Sequence, residues 1–154
     1  MKLHKIYHTQ MLPVDVREAW NFFVDPGNLA DITPDWMQFR ITSDVPDHMY
    51  AGLIISYRIR VFPGITLRWI TEITHLHPGE MFVDEQRFGP YRFWHHQHLF
   101  REITYGTSME DIVHYAMPLN ILGELVHRIA VRRRLDEIFQ FREQALKQRF
   151  TSSQ

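Results

Sequence analysis

The sequence contains no cysteine among its 154 residues, and this absence excludes several functions at once. Disulfide frameworks, cysteine-ligated zinc sites and thiol nucleophiles all require that side chain. Because disulfides are rare in reducing compartments, a chain without cysteine fits the cytoplasm, and we expect a cytoplasmic protein.

Long hydrophobic runs and an excess of charge are also missing. No apolar stretch approaches the roughly 18 residues that span a bilayer, so we expect no integral membrane segment. The N-terminal stretch MKLHKIYHTQMLP lacks the apolar centre of a signal peptide, which again favours the cytoplasm. The 17 Lys and Arg residues nearly balance the 18 Asp and Glu residues. A net charge of -1 gives no electrostatic basis for binding nucleic acid.

Aromatic residues are abundant and make up 14% of the chain, as eleven Phe, six Tyr and four Trp. Apolar residues reach 45%, an ordinary proportion for a globular protein. A chain of this length can bury a sizeable core, and we expect residues 1–154 to form a single domain. So many large rings predict bulky packing, and such rings also typically line an apolar ligand cavity.

Hydrophobic periodicity predicts an α+β architecture. Leu3–Met11 alternates as a strand, and Asp15 with Glu18 forms a capping box before a helical stripe that stops at Asp25. From Met37 onward the period changes to two, and turn signals divide the sequence into six strands. These strand predictions cover Met37–Ile41, Leu53–Val61, Ile65–Thr74, Glu80–Arg87, Tyr91–Ile103 and Met109–Met117. The short connections between them indicate antiparallel hairpins.

The last part of the sequence predicts a long helix, capped by Asn120 after Pro118 and running to about Phe150. Its apolar residues fall on two stripes that lie roughly 140° apart at 3.6 residues per turn. A kink near Arg128–Arg134, or a division into two helices, would reconcile the stripes. Because a curved sheet cannot bury its concave face alone, we expect the helix to lie across that face and to leave a cavity.

Five motifs add a family resemblance to this pattern. They are Phe82-x-Asp84-x-Gln86, Gly89-Pro90-Tyr91, Trp94-x-His96-x-His98-x-Phe100, Asp111-x-Val113-x-Tyr115-x-x-Pro118 and Ile138-Phe139-Gln140-Phe141-Arg142. Together with the element order, they resemble the START/Bet v 1-like (SRPBCC) superfamily, and within it the bacterial ligand-binding and polyketide cyclase/dehydratase-like subgroup. The resemblance implies a helix-grip fold, in which a curved antiparallel sheet of about seven strands wraps around a long C-terminal helix, with short helices after the first strand. The superfamily includes both binders and enzymes, so the resemblance implies a cavity but no particular reaction.

The stretch RFGPYRFWHHQHLF carries three histidines within four positions. Alternation along a strand places Trp94, His96, His98 and Phe100 on one face and His95 on the other. The family resemblance implies that the first face is turned toward the helix and the cavity. The three histidines therefore divide into an inward pair and one outward residue.

Three interpretations of His96 and His98 remain open from the sequence. A metal site would add Asp84 or Asp111 as a ligand, but no second metal motif supports it, so we expect no metal and no other cofactor. A catalytic site would use either histidine as a general acid or base, oriented by one of the two aspartates. A buried network would pair each imidazole with a carboxylate and orient the polar end of a ligand, and we favour this interpretation.

The favoured function is the binding or carrying of a small hydrophobic ligand, such as a lipid, a polyketide-like aromatic or an isoprenoid. The predicted ligand-binding residues are Trp94, His96, His98, Phe100, Tyr57, Trp69, Phe82, Asp84, Gln86, Asp111 and Tyr115. The first alternative is a cofactor-independent cyclase/dehydratase, for which His96, His98, Asp111 and Asp84 are the catalytic candidates.

The second alternative is an interaction protein that responds to a small molecule. In that case the basic residues Arg128 and Arg132–Arg134 of the final helix would meet a partner, although a solvated helix face is the commoner explanation. Trp36 and Phe39 are weaker candidates for the cavity mouth. An apolar surface around the final helix would also allow a homodimer.

Overall fold

The structure is a computed structural model that describes residues 2–118 and 127–151. Its sheet contains seven antiparallel strands, as the sequence predicts. They are β1 (His4–Leu12), β2 (Arg40–Ile41), β3 (Ile54–Phe62), β4 (Ile65–His77), β5 (Met81–Phe88), β6 (Phe93–Ile103) and β7 (Gly106–Ala116). Across the sheet they follow the order β1-β7-β6-β5-β4-β3-β2. The first and last strands therefore pair, and every other pair of neighbours is consecutive in the chain.

Short helices connect the first strand to the second. The α-helix α1 spans Val16–Val24, and 3-10 turns follow at Pro26–Ile32 and Asp35–Met37. The predicted N-cap is confirmed, since Asp15 Oδ1 accepts a hydrogen bond from the backbone N–H of Glu18 at 2.7 Å. Such a cap satisfies one of the free N–H groups at the start of the helix.

The predicted strand Met37–Ile41 is mostly wrong, because only Arg40–Ile41 pairs with β3. The segment before it forms the second 3-10 turn, which closes when the N–H of Gln38 donates to the carbonyl of Asp35 at 3.0 Å. Gln38 then adopts a left-handed conformation with φ 45°, which no strand residue can hold. Alternation of side chains alone does not reveal this change of backbone direction.

The final helix is irregular in the region where the offset stripes predicted a break. A π-helical turn at His127–Val131 precedes the regular α-helix α2 at Arg132–Thr151. Because a π turn inserts an extra residue, it shifts the phase of the side chains that follow. The predicted cap at Asn120 and the stripe residues 121–126 lie outside the described residues. Within those residues, no helix has the length and apolar character required to cross a membrane.

The helix α2 packs against the concave face of the curved sheet and completes two apolar clusters. The first, near α1, is joined by Leu146 and Phe150 from the end of α2. The second, around Trp69, is joined by Leu135 and Phe139 from its beginning. The helix therefore contacts the sheet at two separate places along its length, which is the helix-grip arrangement that the sequence predicts.

The start of β7 depends on a glycine. Gly106 has φ 138°, and a Cβ atom there would overlap the backbone oxygen of Leu12 on the paired strand. We expect Gly106→Ala to lower the free energy of unfolding by about 2–3 kcal/mol in urea denaturation, since this conformation is almost restricted to glycine. The control is Gly64→Ala, at φ 76° with open space around its Cβ position, which should cost only about 1 kcal/mol. Equal losses would show that the clash with β1 does not matter.

Candidate functional site

A cavity of about 430 Å³ lies between the concave face of the sheet and α2. This volume is within the range of roughly 300–1,000 Å³ that small-molecule sites occupy. Side chains from β3 and β4, among them Ile59 and Trp69, form one wall, while Leu135 and Phe139 of α2 form the other. The apolar wall favours a hydrophobic occupant, because transferring apolar surface out of water is favourable.

A polar band crosses the floor of the cavity between the two apolar clusters. On β6, the band consists of His96 and His98, with Trp94 in one cluster and Phe100 in the other. Asp84 of β5 and Asp111 of β7 continue the band on the neighbouring strands, and the register of β5, β6 and β7 aligns them with the two histidines. On β4, the buried Thr71 lies two residues away from this line, because Ile73 is the residue opposite Asp84.

Strand register brings each histidine opposite a carboxylate. Asp84 of β5 is paired with His96 of β6, and His98 is paired with Asp111 of β7. Directly opposite residues of an antiparallel pair have Cβ atoms about 4.5–5.5 Å apart, close enough for their side chains to interact. The alternation predicted for β6 is confirmed, since both histidines are buried while His95 is turned to the other face.

The hydrogen bonds of this group run diagonally between the strands. His96 Nε2 donates to Asp111 Oδ1 at 2.8 Å, and His98 Nε2 donates to Asp84 Oδ2 at 2.8 Å. The second nitrogen of each ring also faces a carboxylate, because His96 Nδ1 lies 3.4 Å from Asp84 Oδ2 and His98 Nδ1 lies 2.9 Å from Asp111 Oδ1. The latter approach is not aligned for a hydrogen bond. We call these four residues the His-Asp tetrad.

Aromatic rings enclose the tetrad. The two imidazole centroids are 3.8 Å apart, and the ring of Phe82 stacks on His98 at 4.1 Å. Phe139 of α2 covers His96 from the helix side at 6.0 Å. Asp111 is only 3% exposed and lies behind the histidines, whereas Asp84 is 17% exposed and reaches the cavity.

Burial and charge act in opposite directions on the tetrad. Burial raises the pKa of Asp111, but the two histidines outweigh it and hold that pKa well below its usual 3.8. Burial likewise raises the pKa of Asp84, and the neighbouring imidazoles again outweigh it, so the net shift is downward. Both carboxyl groups are therefore anionic at neutral pH.

The two histidines differ in their affinity for a proton. Burial lowers the pKa of His96 below its usual 6.5, and the charge of His98 lowers it further. Burial also lowers the pKa of His98, but the two carboxylates outweigh it and raise the net value. The adjacent rings therefore form a coupled pair in which His98 is the better proton holder and His96 the weaker one.

Arg142 of α2 completes the group from the opposite wall. Its Nη1 lies 3.5 Å from Asp111 Oδ1, and its guanidinium carbon lies 5.6 Å from the centre of the Phe139 ring. Neither Nε nor Nη1 has a hydrogen-bond partner among the described residues, although both atoms are buried. The guanidinium thus lies beside Asp111 in the cavity lining, with two donor atoms that have no hydrogen-bond partner among the described residues.

A second, uncharged polar group lies at the β3–β4 side of the band. Trp69 Nε1–H donates to Thr71 Oγ1 at 3.0 Å, and the Tyr57 hydroxyl lies 3.0 Å from the same oxygen. Three donor hydrogens share two hydrogen bonds, so one hydroxyl hydrogen is left without an acceptor among the described residues. Burial strongly raises the pKa of Tyr57, which keeps its hydroxyl protonated. All three side chains line the cavity.

Most of the predicted ligand-binding residues do line the cavity. They are Trp94, His96, His98, Tyr57, Trp69, Phe82 and Asp84. The weaker candidates for the mouth, Trp36 and Phe39, line it as well. The position of the strand residues in the lining follows from alternation, which turns every second side chain of β3, β4, β5 and β6 toward the helix.

Four of the predicted ligand-binding residues are absent from the cavity lining among the described residues. They are Phe100, Tyr115, Asp111 and Gln86. Phe100 packs edge-on against Trp20 of α1, with centroids 5.5 Å apart, because α1 rather than α2 covers that end of β6. Tyr115 lies behind Trp94, at 6.0 Å between centroids. Asp111 is screened from the cavity by the two histidines that contact it.

Gln86, the fourth of these residues, has a local structural role. Its Nε2 donates to the carbonyl of Tyr91 at 2.7 Å, and its Oε1 accepts from the N–H of the same residue at 3.2 Å. These two bonds bridge the Gly89–Pro90 turn between β5 and β6. The side chain is therefore used by the turn instead of by the cavity.

Two basic residues of α2 line the cavity, although the sequence did not predict it. Arg134, from the predicted basic patch, stacks over Trp36 at 4.8 Å and pairs with Glu137 at 2.8 Å. Arg142 was not predicted as a site residue. It lies within the apolar stripe of α2, between Phe139 and Leu146. A charged residue at a position where the stripe predicts an apolar one is the sequence feature that could have identified it.

Asp84, His96 and His98 also meet the distance requirement of a metal site, since their ligand atoms lie within 4.8 Å of one another. Two features oppose a cation there. Both ring nitrogens of His96 and of His98 already face a carboxylate. The guanidinium of Arg142 also places a positive charge beside Asp111. The expectation of no metal stays a prediction, and a melting temperature unchanged by added Zn²⁺ would support it.

The comparisons with known proteins concern the fold. No protein-family model matches the chain, and no curated protein matches it by sequence. The Zhui aromatase/cyclase from a Streptomyces species is similar with a TM-score of 0.75 at 12% identity, covering 97% of this chain and 94% of that one. The protein TTHA0849 from Thermus thermophilus gives 0.73 at 14% identity, covering 97% and 99%. Ara h 8.0201, of the Bet v 1 family, gives 0.63 at 16% identity, covering 94% and 98%. At these identities the matches show a Bet v 1-like fold with polyketide cyclase-like structural neighbours, and the fold alone.

Proposed function

We propose that the protein binds a small hydrophobic molecule in the cavity, with the polar end of that molecule against His96, His98 and Asp84. The observation that carries the proposal is a cavity of about 430 Å³ whose largely apolar wall contains a small number of convergent polar groups. Apolar walls with a few placed polar groups are the usual composition of a small-molecule site. One structural neighbour is named an aromatase/cyclase, which is consistent with a ring-containing occupant.

The rings of the wall suit a flat or branched apolar body. Trp69 and Trp94 meet edge-on at 5.3 Å, and Tyr91 contacts Trp94 at 4.9 Å. Edge-on and offset contacts leave ring faces available to a ligand. Asp111 does not contact the ligand in this proposal, and its role is to hold His96 and His98 in position from behind.

The direct test is a titration with the neutral apolar dye N-phenyl-1-naphthylamine, whose emission rises in an apolar environment. We expect saturable binding with one equivalent per chain, together with quenching of tryptophan fluorescence from the cavity wall. Emission that rises linearly without saturation would indicate surface adsorption and would contradict the proposal.

A second candidate function is cofactor-independent cyclase or dehydratase chemistry at the same site. The observation that favours it is that the pKa values of two adjacent imidazoles shift in opposite directions. The pKa of His96 is lowered, and that of His98 is raised. Titratable neighbours driven apart in this way typically divide the roles of base and acid. His96 would accept a proton from the ligand and His98 would donate one, with Asp84 and Asp111 fixing the ring orientations.

The catalytic candidate predicts that His96→Ala and His98→Ala each lower turnover by about 100-fold on any substrate found, because general acid-base catalysis contributes at least that much. The matched control is His95→Ala, one residue away on the other face of β6, which should leave the rate unchanged. Full turnover in both inward variants would show that these histidines only orient a ligand. The hypothesis of a ligand-responsive interaction protein stays a prediction.

A further inference from the structure

Resting on the proposed function, we infer that the ligand carries a neutral oxygen of the carbonyl class, as in a ketone, ester or quinone, and that this oxygen accepts hydrogen bonds from Arg142. The proposal follows from the contacts of the guanidinium. It projects from α2 into the cavity, and its Nε and Nη1 are buried without a hydrogen-bond partner among the described residues.

Unpartnered buried donors are rare in folded proteins, because a donor removed from water loses its bond to water and gains nothing in return. The nearest carboxylate oxygen, Asp111 Oδ1, is 3.5 Å from Nη1 and already accepts from His96 at 2.8 Å. A hydrogen-bond acceptor on a ligand in the cavity would satisfy these donors of Arg142 without displacing a residue of the His-Asp tetrad. Guanidinium donors favour oxygen acceptors, which excludes amines and plain hydrocarbons as the preferred ligands.

The charges around Arg142 favour a neutral acceptor over an anion. The carboxylates of Asp84 and Asp111 carry two negative charges, and Arg142 carries one positive charge. The group therefore carries one net negative charge when both imidazoles are neutral, and sums to zero when one of them is an imidazolium. A ligand carboxylate would add an uncompensated negative charge to a buried site, which is unfavourable.

The Trp69–Thr71–Tyr57 group independently indicates the same kind of ligand. Its one surplus hydroxyl hydrogen also needs an acceptor, and all three side chains line the cavity. Tyr57 keeps its proton because burial raises its pKa. Arg142 and the Trp69–Thr71–Tyr57 group therefore offer donors at two places in the cavity lining, and an apolar molecule bearing carbonyl oxygens matches these donors.

The test compares three naphthalenes of nearly equal size, measured by tryptophan fluorescence at pH 7. They are 2-acetonaphthone with a neutral carbonyl, 2-ethylnaphthalene without oxygen, and 2-naphthoate with a carboxylate. We expect the ketone to bind about tenfold more tightly than the hydrocarbon, as a hydrogen bond to a charged donor typically allows. The carboxylate should bind more weakly than the ketone.

Variants of two arginines test which side chain donates the hydrogen bond that favours the ketone. In Arg142→Met the tenfold preference for the ketone should disappear. In Arg133→Met it should remain, because Arg133 lies on the exposed side of α2, pairs with Glu137 and is not part of the cavity lining. If Arg142→Met does not fold, Arg142→Lys replaces it. Lysine keeps the charge but lacks the Nε–H of the guanidinium, so the preference should fall severalfold.

The outcomes separate this inference from the proposed function. If none of the three naphthalenes binds, the cavity is not a ligand site and the proposed function fails. If ketone and hydrocarbon bind equally, or if the preference survives in Arg142→Met, the cavity binds ligands but the role of Arg142 is wrong. Tighter binding of 2-naphthoate than of the ketone would overturn the assignment of a neutral oxygen.

Discussion

Replacing Asp111 by asparagine is expected to lower the free energy of unfolding by about 3 kcal/mol at pH 7, since removing one partner of a buried charged group typically costs that much. Asp111 is 3% exposed and accepts a hydrogen bond from His96 at 2.8 Å. It also faces His98 at 2.9 Å and Arg142 at 3.5 Å. Without the negative charge of Asp111, Arg142 keeps Asp84 as its one buried counter-ion among the described residues.

The control for Asp111 is its neighbour on the outer face of β7. Glu110 accepts a hydrogen bond from Tyr7 at 3.0 Å in an exposed position, so Glu110→Gln should change stability by less than about 0.5 kcal/mol. Urea denaturation of both variants gives the comparison. A loss for Asp111→Asn no larger than that for Glu110→Gln would show that the tetrad does not stabilise the fold.

The stability difference between wild type and Asp111→Asn should also depend on pH. The folded-state pKa of Asp111 lies well below its unfolded value of about 3.8. A group with a depressed folded pKa stabilises the native state above the unfolded pKa and loses that effect as pH falls through the folded pKa. The difference should therefore be present from neutral pH down to about pH 4 and shrink below it. A constant difference down to pH 2 would contradict the assigned shift.

The second large effect concerns the volume of the cavity. Ile59 of β3 is buried and lines the cavity, so Ile59→Trp should fill the space with an indole ring and abolish binding of N-phenyl-1-naphthylamine. The fold should tolerate the change, because the larger side chain enters empty space instead of a close-packed core. Fluorescence titration measures the loss of binding, and thermal melting checks the fold.

A matched control for Ile59→Trp exists on the same strand. Ile54 is 47% exposed on the outer face of β3, so Ile54→Trp introduces the same ring without touching the cavity. Its affinity for the dye should equal that of the wild type. Undiminished binding in Ile59→Trp would place the dye somewhere other than this cavity.

The sheet was predictable from the sequence because alternation and burial have the same period in a half-buried strand. On β6, that rule alone separates His95 from His96 and His98. It fails at β2, where a left-handed residue, Gln38, interrupts the strand before Arg40. Backbone direction at a turn depends on local hydrogen bonds, which side-chain periodicity does not encode.

The candidate site was only partly predictable, since its parts come from separate elements. Both aspartates and both histidines were predicted as candidates, but which carboxylate faces the cavity depends on the strand register of Asp84 and Asp111. Arg142 and Thr71 were missed, and each interrupts an apolar stripe, one on α2 and one on β4. Such interruptions point to polar groups inside a core, but their partners become clear only from the packing of the helix on the sheet.

The most direct test of the central claim, that the cavity holds a hydrophobic ligand, is native mass spectrometry of the protein purified from its own host. We expect the wild type to carry one additional mass of drug-like size, which the volume of about 430 Å³ allows. The same preparation of Ile59→Trp should lack that mass, whereas Ile54→Trp should retain it. A wild-type protein without any bound molecule, or one bound equally by Ile59→Trp, would contradict the claim.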